Sequence, residues 1–365
     1  MGGRDGRGAL DGRVAIITGA GHGLGREHAL LFAREGAAVV VNDLGGDTRG
    51  EGADAGPAQR VVDEIVAAGG RAVANTDSAA DWDGARRLID QAVEAFGDLH
   101  VLVNNAGILR DRMLVNLTEP DWDSVMQVHL KGHFCTTRHA ARYWRDQSKA
   151  GRPVNAALIH TSSASGVLGN AGQTNYGAAK AGIAAFSAIC ALELGRYGVR
   201  SNAITPNART RLTAGLRERY DEPDPGDDAW DPQHPGNVSP MVAYLATEGC
   251  TITGELFHVA GDLVLRYQPH VLIGDISSHG KRWTIKELER EVPALVQGER
   301  RGGLAELRAF SQVEDAVAGD AVAGDALAGD AVAGDGRAGD GLAGDALAGR
   351  AVVGDAVAGG AAGPG

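Results

Sequence analysis

Cysteine is scarce in this 365-residue chain. Cys135, Cys190 and Cys250 are odd in number, far apart and in no metal-ligand spacing. That argues against a disulfide framework or a cysteine-built metal site and suits a reducing compartment, with each thiol read as a small apolar residue. Positive charge is short as well. With 35 Lys+Arg against 47 Asp+Glu the formal charge is −12, so the clustered basic surface that nucleic acid or an anionic membrane demands is not expected. No run approaches the roughly 20 apolar residues of a membrane helix. The opening MGGRDGRGALDGR has no apolar segment of a secretory signal, and Gly6 stands where a myristoylation signal carries Ser or Thr. These absences leave a cytoplasmic protein acting on a small-molecule substrate, with neither nucleic acid nor membrane as partner.

What is present is an alternation of short β-rich runs with helical patterns. RVAIIT (13–18), AAVVVND (37–43), RAVANTD (71–77) and LHVLVNNAG (99–107) read as strands. Between them, residues 24–36, 58–70 and 83–97 read as amphipathic helices. Alternation of this kind predicts an α/β fold with a doubly wound parallel sheet. A long helix is expected over Asp121–Gln147, with Trp122, Val125, Met126 and Phe134 in the core or in a subunit contact and His129 packed or hydrogen-bonded. GVRSNAITPNARTRL adds a strand, PMVAYLATEG a short helix and ITGELFHVAGD a last strand.

The chain divides on this reading into an arm (1–12), a single α/β domain (13–268), an extension (269–312) and a tail (313–365). In the extension Thr284 and Glu287 form a capping box, and the helix they start should pack on the domain or on a neighbouring subunit. Residues 213–237, rich in Asp and Pro, are either a lid over substrate or a solvated loop. From Asp315 the chain repeats DAVAG-like pentapeptides with no bulky position to fill a core, so disorder is expected there.

Three stretches carry chemistry. GAGHGLG follows the first strand at once and opens a helix, where backbone can approach a pyrophosphate and the helix's unpaired amides can meet its charge. Its glycines do not satisfy G-x-G-x-x-G; from Thr18 they read T-G-x-x-x-G-x-G. Asp43 ends the second strand, where a carboxylate accepts bonds from an adenosine ribose and repels a 2′-phosphate, which favours NAD over NADP. In SASGVLGNAGQTNYGAAK (163–180), Tyr176 and Lys180 are four apart on one helical face, about 5–6 Å between Cβ atoms. A neighbouring ammonium lowers a phenol's pKa, and Ser163, at the edge where such sheets place ligands, can hold the reacting oxygen.

Together, Thr18 to Gly25, Asn104 to Gly107, Ser163, Tyr176 and Lys180 resemble the short-chain dehydrogenase/reductase family, over residues 10–265. Within it VVVNDLGGD, VNNAGILRDR, DWDSVMQVHLKGHF and ITPNARTRLT are most similar to the (3R)-hydroxyacyl-CoA dehydrogenase domain of peroxisomal multifunctional enzyme type 2 and its bacterial relatives. The resemblance implies a Rossmann-type fold, NAD as cofactor and a homodimer or homotetramer built on the long helices. It implies Tyr176 as acid/base, Lys180 on the nicotinamide ribose and depressing the tyrosine's pKa, and Ser163 polarising the substrate oxygen. His129 stands in place of the family's catalytic Asn. Thr18, Gly19, Gly23, Leu24 and Gly25 would surround the pyrophosphate, with Asp43 at the ribose and Asp77 at the adenine. Asn104, Ala106 and Gly107 would line the adenosine side, and Thr210 would reach the carboxamide. Arg110, Arg112, Arg209 and Arg211 are candidates for an acyl-CoA. A ketoreductase of secondary metabolism and a catalytically idle NAD-binding scaffold remain open alternatives.

Overall fold

The β-branched run Val14–Thr18 is buried along its whole length and forms strand β1, the centre of the fold. The computed structural model describes residues 8–211, 230–268 and 275–295. Beside β1 lie β2 (Ala38–Asn42), β3 (Arg71–Asn75), β4 (Val101–Asn104), β5 (Ala156–Thr161), β6 (Val199–Asn207), β7 (Leu256–Ala260) and β8 (Leu263–Arg266), in the order β3-β2-β1-β4-β5-β6-β7-β8. Every pairing but the last is parallel, with Ile16 opposite Val40 on one side and Leu102 on the other. The chain leaves β1 in one direction for β2 and β3 and returns on the other side for β4. The crevice at that reversal, beyond the carboxyl ends of β1 and β4, is where a doubly wound sheet binds ligand.

Strands buried on both faces read as continuous Val, Ile and Ala runs, because helices cover each face. On one face α1 (Gly23–Arg34), α2 (Gly56–Ala67) and α8 (Ser239–Ala246) close over Ile17, Val39, Val41, Val103 and Ile159; on the other α3 (Trp82–Phe96) and α5 (Gly132–Lys149) close over Ile16, Val40, Leu102 and Leu158. Each such fully buried aliphatic contributes about 1.5–3 kcal/mol, so the crevice is held by rigid walls.

Three expectations need correction. The helix over Asp121–Gln147 is two helices, α4 (Glu119–Met126) and α5, joined by a π-helical turn at Gln127–Lys131 that carries His129. The last strand is a hairpin, since Gly261 at φ 56 turns the chain back into antiparallel β8. Helix α7 (Thr174–Leu194), extended by a 3-10 turn to Tyr197, is long and apolar enough by composition to cross a membrane, with a mean hydropathy of 1.4. Its many alanines escape a search for runs of large apolar residues. One face of it, through Ala179, Ile183 and Cys190, is buried in the domain. As expected, α9 (Ile285–Leu295) has its capping box, Thr284 N–H to Glu287 Oε2 at 2.8 Å and Glu287 N–H to Thr284 Oγ1 at 3.3 Å. None of its residues is buried. The lid expectation falls mainly on residues 212–229 and the tail expectation on 313–365, which lie outside the described residues. Residues 230–237, which are described, end in a 3-10 turn at Pro235–Asn237.

Candidate active site

Thr18 ends β1 and ties two loops together. Its Oγ1 accepts the N–H groups of Asn105 (3.0 Å) and Ala106 (3.1 Å), and Asn105 Nδ2 returns bonds to the carbonyls of Thr18 (3.0 Å) and Gly19 (3.2 Å). The turn after β1 is thereby pressed on the turn after β4. Only glycine fits the contact: Gly19 sits at φ 65, and a Cβ there would stand 2.8 Å from Ala106 Cα. A Cβ on Gly25 would stand 2.2 Å from the Gly19 carbonyl oxygen, so Gly25 sets how closely α1 approaches the turn. His22, the residue before α1, makes no side-chain cap bond, and the first turn of α1 holds no acidic residue. The amides of that turn are thus left for an anion.

Asp43, buried at the tip of β2, accepts the N–H groups of Gly21 (2.8 Å) and Gly45 (2.7 Å). It pins the glycine turn and also lines the cleft described next. Asp77, after β3, is held by Arg87 Nε at 2.9 Å and Asn75 Nδ2 at 3.1 Å.

One cleft of about 470 Å³ runs from these residues to Tyr176 and Lys180, within the range of small-molecule sites. Its walls include Gly19, Gly23, Leu24, Asp43, Asp77, Ala106, Gly107, His129, Ser163, Tyr176, Lys180 and Thr210. Three other residues expected at the cofactor stand behind the wall. Thr18 and Gly25 build it as described. Asn104 is turned inward by strand alternation, where its Oδ1 accepts from Thr136 Oγ1 at 2.7 Å and its Nδ2 donates to Thr137 Oγ1 at 3.0 Å. Its neighbour Asn105 lines the cleft instead. The glycine cradle, the uncapped α1 terminus and the buried carboxylate on β2 fit a dinucleotide's pyrophosphate and adenosine ribose.

At the other end, Ser163 ends the segment after β5 and caps the short helix α6 (Ala164–Leu168), its Oγ accepting Ser165 N–H at 3.2 Å. The i,i+4 spacing holds: Lys180 Nζ lies 5.5 Å from the centroid of the Tyr176 ring and donates to the Thr161 carbonyl at 2.6 Å. Burial pushes the Lys180 ammonium down to about 7. Burial also pushes the Tyr176 phenol up to about 12, against a hydrogen bond from Ser163 that pulls it down, with Asp111 adding a further upward push. The expected depression of the phenol by Lys180 does not appear: burial dominates the shift, and the one downward pull comes from Ser163. Asn175, missed in the sequence, positions the tyrosine: its Oδ1 accepts Tyr176 N–H at 2.8 Å, and its Nδ2 donates to the carbonyls of Arg110 (3.1 Å) and Asp121 (3.2 Å).

His129 is buried and neutral, its pKa taken down to about 3 by desolvation first and by Lys180 second. The π-helical turn aims its ring at Ile108, with Nε2 2.8 Å from the carbonyl oxygen, and edge-on to Tyr176 at 5.2 Å. Gly107 makes room, since a Cβ there would meet His129 Cε1 at 2.5 Å. His133 Nδ1–H donates to the His129 carbonyl at 2.7 Å and braces the turn. Of the candidate acyl-CoA arginines, Arg110 and Arg112 pair with Asp121, and Arg209 pairs with Asp231. Arg211 lines the cleft near Thr210.

Comparison with known proteins agrees with this geometry. The sequence profile of the short chain dehydrogenase family matches residues 13–221. The chain is 47% identical over 260 residues to peroxisomal multifunctional enzyme type 2 of Drosophila melanogaster, covering 71% of this chain and 41% of that protein. It is 44% identical over 286 residues to hydroxyacyl-CoA dehydrogenase ChsB1 of Mycobacterium tuberculosis, covering 76% and 87%. A crystal structure of a short chain dehydrogenase from Mycobacterium avium superposes with a TM-score of 0.71 at 50% identity, covering 79% of this chain and 96% of that one.

Proposed function

The chain belongs to the short-chain dehydrogenase family, oxidoreductases that use a nicotinamide cofactor on CH–OH donors, and from that premise we propose that it is an NAD-dependent dehydrogenase of 3-hydroxyacyl thioesters. The observation that carries the reading is the convergence of Ser163, Tyr176 and Lys180 at one end of a cleft whose other end is the glycine cradle and Asp43. The thioester assignment rests on the names of relatives, the larger of which this chain matches over 41% of its length.

Ser163 Oγ and the Tyr176 hydroxyl hold the substrate's carbinol oxygen. Tyr176 takes the alcohol proton as the C–H bond gives up its hydride, and returns a proton in carbonyl reduction. Oxidised nicotinamide, when bound, would supply the hydride acceptor. Lys180 would hold the nicotinamide ribose, Thr210 the carboxamide, and the amides at Gly23 and Leu24 the pyrophosphate. With its pKa raised, the tyrosine of the free protein is protonated, which suits the acid role as it stands. In the base role Tyr176 acts as the phenolate, so its own proton must first pass to solvent. His129 serves as a neutral wall that fixes the tyrosine ring.

The same reading includes a homodimer or homotetramer on α4, α5 and α7. Exposed Phe134, Ile189 and Leu192 support it, and light scattering tests it. The three thiols are free and buried, which supports a reducing compartment such as the cytoplasm as its place of work. The substrate assignment is tested by dinucleotide reduction across 3-hydroxyacyl-CoAs, steroid alcohols and simple secondary alcohols, with NAD and NADP compared. Highest kcat/KM on a 3-hydroxyacyl-CoA with NAD is the expected result. A preference for a free alcohol or for NADP overturns it.

A further inference from the structure

Between β2 and α2 the chain makes a compact loop, residues 44–54, that the mechanism above does not use. It closes on itself: Asp54 N–H donates to the Leu44 carbonyl at 3.0 Å and Asp47 N–H to the Glu51 carbonyl at 2.8 Å. Asp47 Oδ1 takes the N–H groups of Arg49 (2.8 Å) and Glu51 (2.9 Å). Gly45, Gly50 and Gly52 sit at positive φ and permit the folding. Leu44, Gly46, Asp47, Thr48 and Gly50 line the cleft on the side of Asp43 and Asp77, its adenosine end. The loop is a preformed strap along that half of the cleft.

Its fastening is on residues 108–110 after β4, of which Ile108 and Leu109 also line the cleft. Leu109 N–H donates to the Thr48 carbonyl at 3.0 Å, and a Cβ on Gly50 would stand 3.1 Å from Ile108 Cδ1. Arg110 supplies the rest. Its Nε donates to the Arg49 carbonyl at 3.0 Å, one terminal nitrogen meets Glu51 at 3.3 Å, and the other lies 3.6 Å from Asp121, with the side chain only 15% exposed. A guanidinium suits this task because its planar fork can donate to two acceptors on the loop at fixed angles while its third nitrogen faces the Asp121 carboxylate. The far side of the same three residues touches the catalytic end. Ile108 is bonded by His129, and the Arg110 carbonyl by Asn175, and both of those residues contact Tyr176.

We propose that Arg110 is a latch that holds loop 44–54 closed over the adenosine half of the dinucleotide and so sets how long the cofactor stays bound. This rests on the reading of the cleft as a nicotinamide dinucleotide site. Arg110 acts as a positioning residue through the loop, and a dinucleotide leaves only when the bonds to Arg49 and Glu51 open. The arginine is thereby already engaged, and an acyl-CoA phosphate would have to break the latch to use it.

The test is stopped-flow measurement of NADH release and equilibrium binding of NAD and of ADP-ribose, in the full chain and in Arg110→Ala and Glu51→Gln variants. Arg110→Ala should release NADH about tenfold faster or more, the scale of losing charge-assisted bonds. Glu51, whose side chain is 64% exposed, should give a change of about twofold that fades at high salt. ADP-ribose should weaken by the same factor as NAD, because the strap lies on the half they share. In turnover the KM for NAD should rise by a larger factor than any change in kcat, the split expected of a residue that retains cofactor. Wild-type release rates in both folded variants would overturn the latch while leaving the dinucleotide site standing. Failure of the wild-type chain to bind either ligand would overturn both. Should Arg110→Ala not fold, Glu51→Gln and Arg110→Lys decide, the lysine lacking the fork and so also releasing faster.

Discussion

Replacing Lys180 by methionine should make the protein inactive and more stable, by an amount that depends on pH in a defined way. The ammonium is 2% exposed, donates to one carbonyl at 2.6 Å, and has its pKa lowered from 10.5 to about 7 by burial. Between those values the unfolded chain binds a proton that the folded chain does not, so stability rises with pH across this window and the penalty is fully present below it. At 1.36 kcal/mol per unit the penalty is about 5 kcal/mol at low pH, about 4 at pH 7 and about 2 at pH 9. Methionine removes it, at the cost of about 1–2 kcal/mol for the Thr161 carbonyl left without its donor. Lys180→Met should therefore be more stable than the parent by about 2–3 kcal/mol at pH 7, and the advantage should shrink by about 2 kcal/mol at pH 9. Buried Cys190, raised to about 12, contributes a loss of stability above pH 9 to both proteins and cancels in the difference. Urea denaturation of the dinucleotide-free proteins at pH 7, 8 and 9 measures this directly. A destabilised variant, or a difference flat in pH, would refute the picture of a desolvated ammonium held for function.

Two further outcomes follow from single contacts. Gly107→Ala places a methyl 2.5 Å from His129 Cε1, so the ring must leave Ile108 and Tyr176; about 1–3 kcal/mol of stability should be lost, with kcat falling about tenfold or more. An unchanged urea midpoint and kcat would dismiss the packing. Asp43→Asn removes the charge and leaves one oxygen to accept, so one of the Gly21 and Gly45 bonds is lost with it. A unit charge at about 5 Å is worth about 3 kcal/mol at an effective dielectric near 20, so the ratio of kcat/KM for NADP to NAD should rise by about ten- to a hundredfold, and a ratio that does not move speaks against a ribose role for this carboxylate.

The strands were legible because strands buried on two faces must be continuous apolar runs, and the glycine turn because it sits between such a run and a helix. Asn104 and Asn105 were not separable in the sequence. Both are amides at a strand end, and only the alternation of β4 and the Thr136 and Thr137 hydroxyls of α5 decide which one faces the cleft. The π-helical turn was hidden for a similar reason. QVHLK fits an α-helix as well as a wider turn, and what selects the latter is tertiary, the His129 bond to Ile108 and its brace from His133. Gly25 read as a phosphate glycine, yet its lack of a side chain is needed by the Gly19 carbonyl behind the wall. Arg110 read as a ligand for substrate because its acceptors lie 59 and 11 residues away, at Glu51 and Asp121, and such pairings leave no local trace. The pairing of Tyr176 with Lys180 was plain from spacing, but the direction of the phenol's shift was not, since it depends on how much water the fold removes.

The most direct measurement is nicotinamide reduction by the full chain and by Tyr176→Phe with a 3-hydroxyacyl-CoA and NAD, with NAD binding measured on the same samples. If the phenol is the acid/base, the variant binds NAD within about threefold of the parent while turnover falls by about a hundredfold or more, the scale of general acid–base catalysis. Turnover within tenfold of the parent at full cofactor binding would contradict the account, and the proton would have to be taken by another group of the cleft.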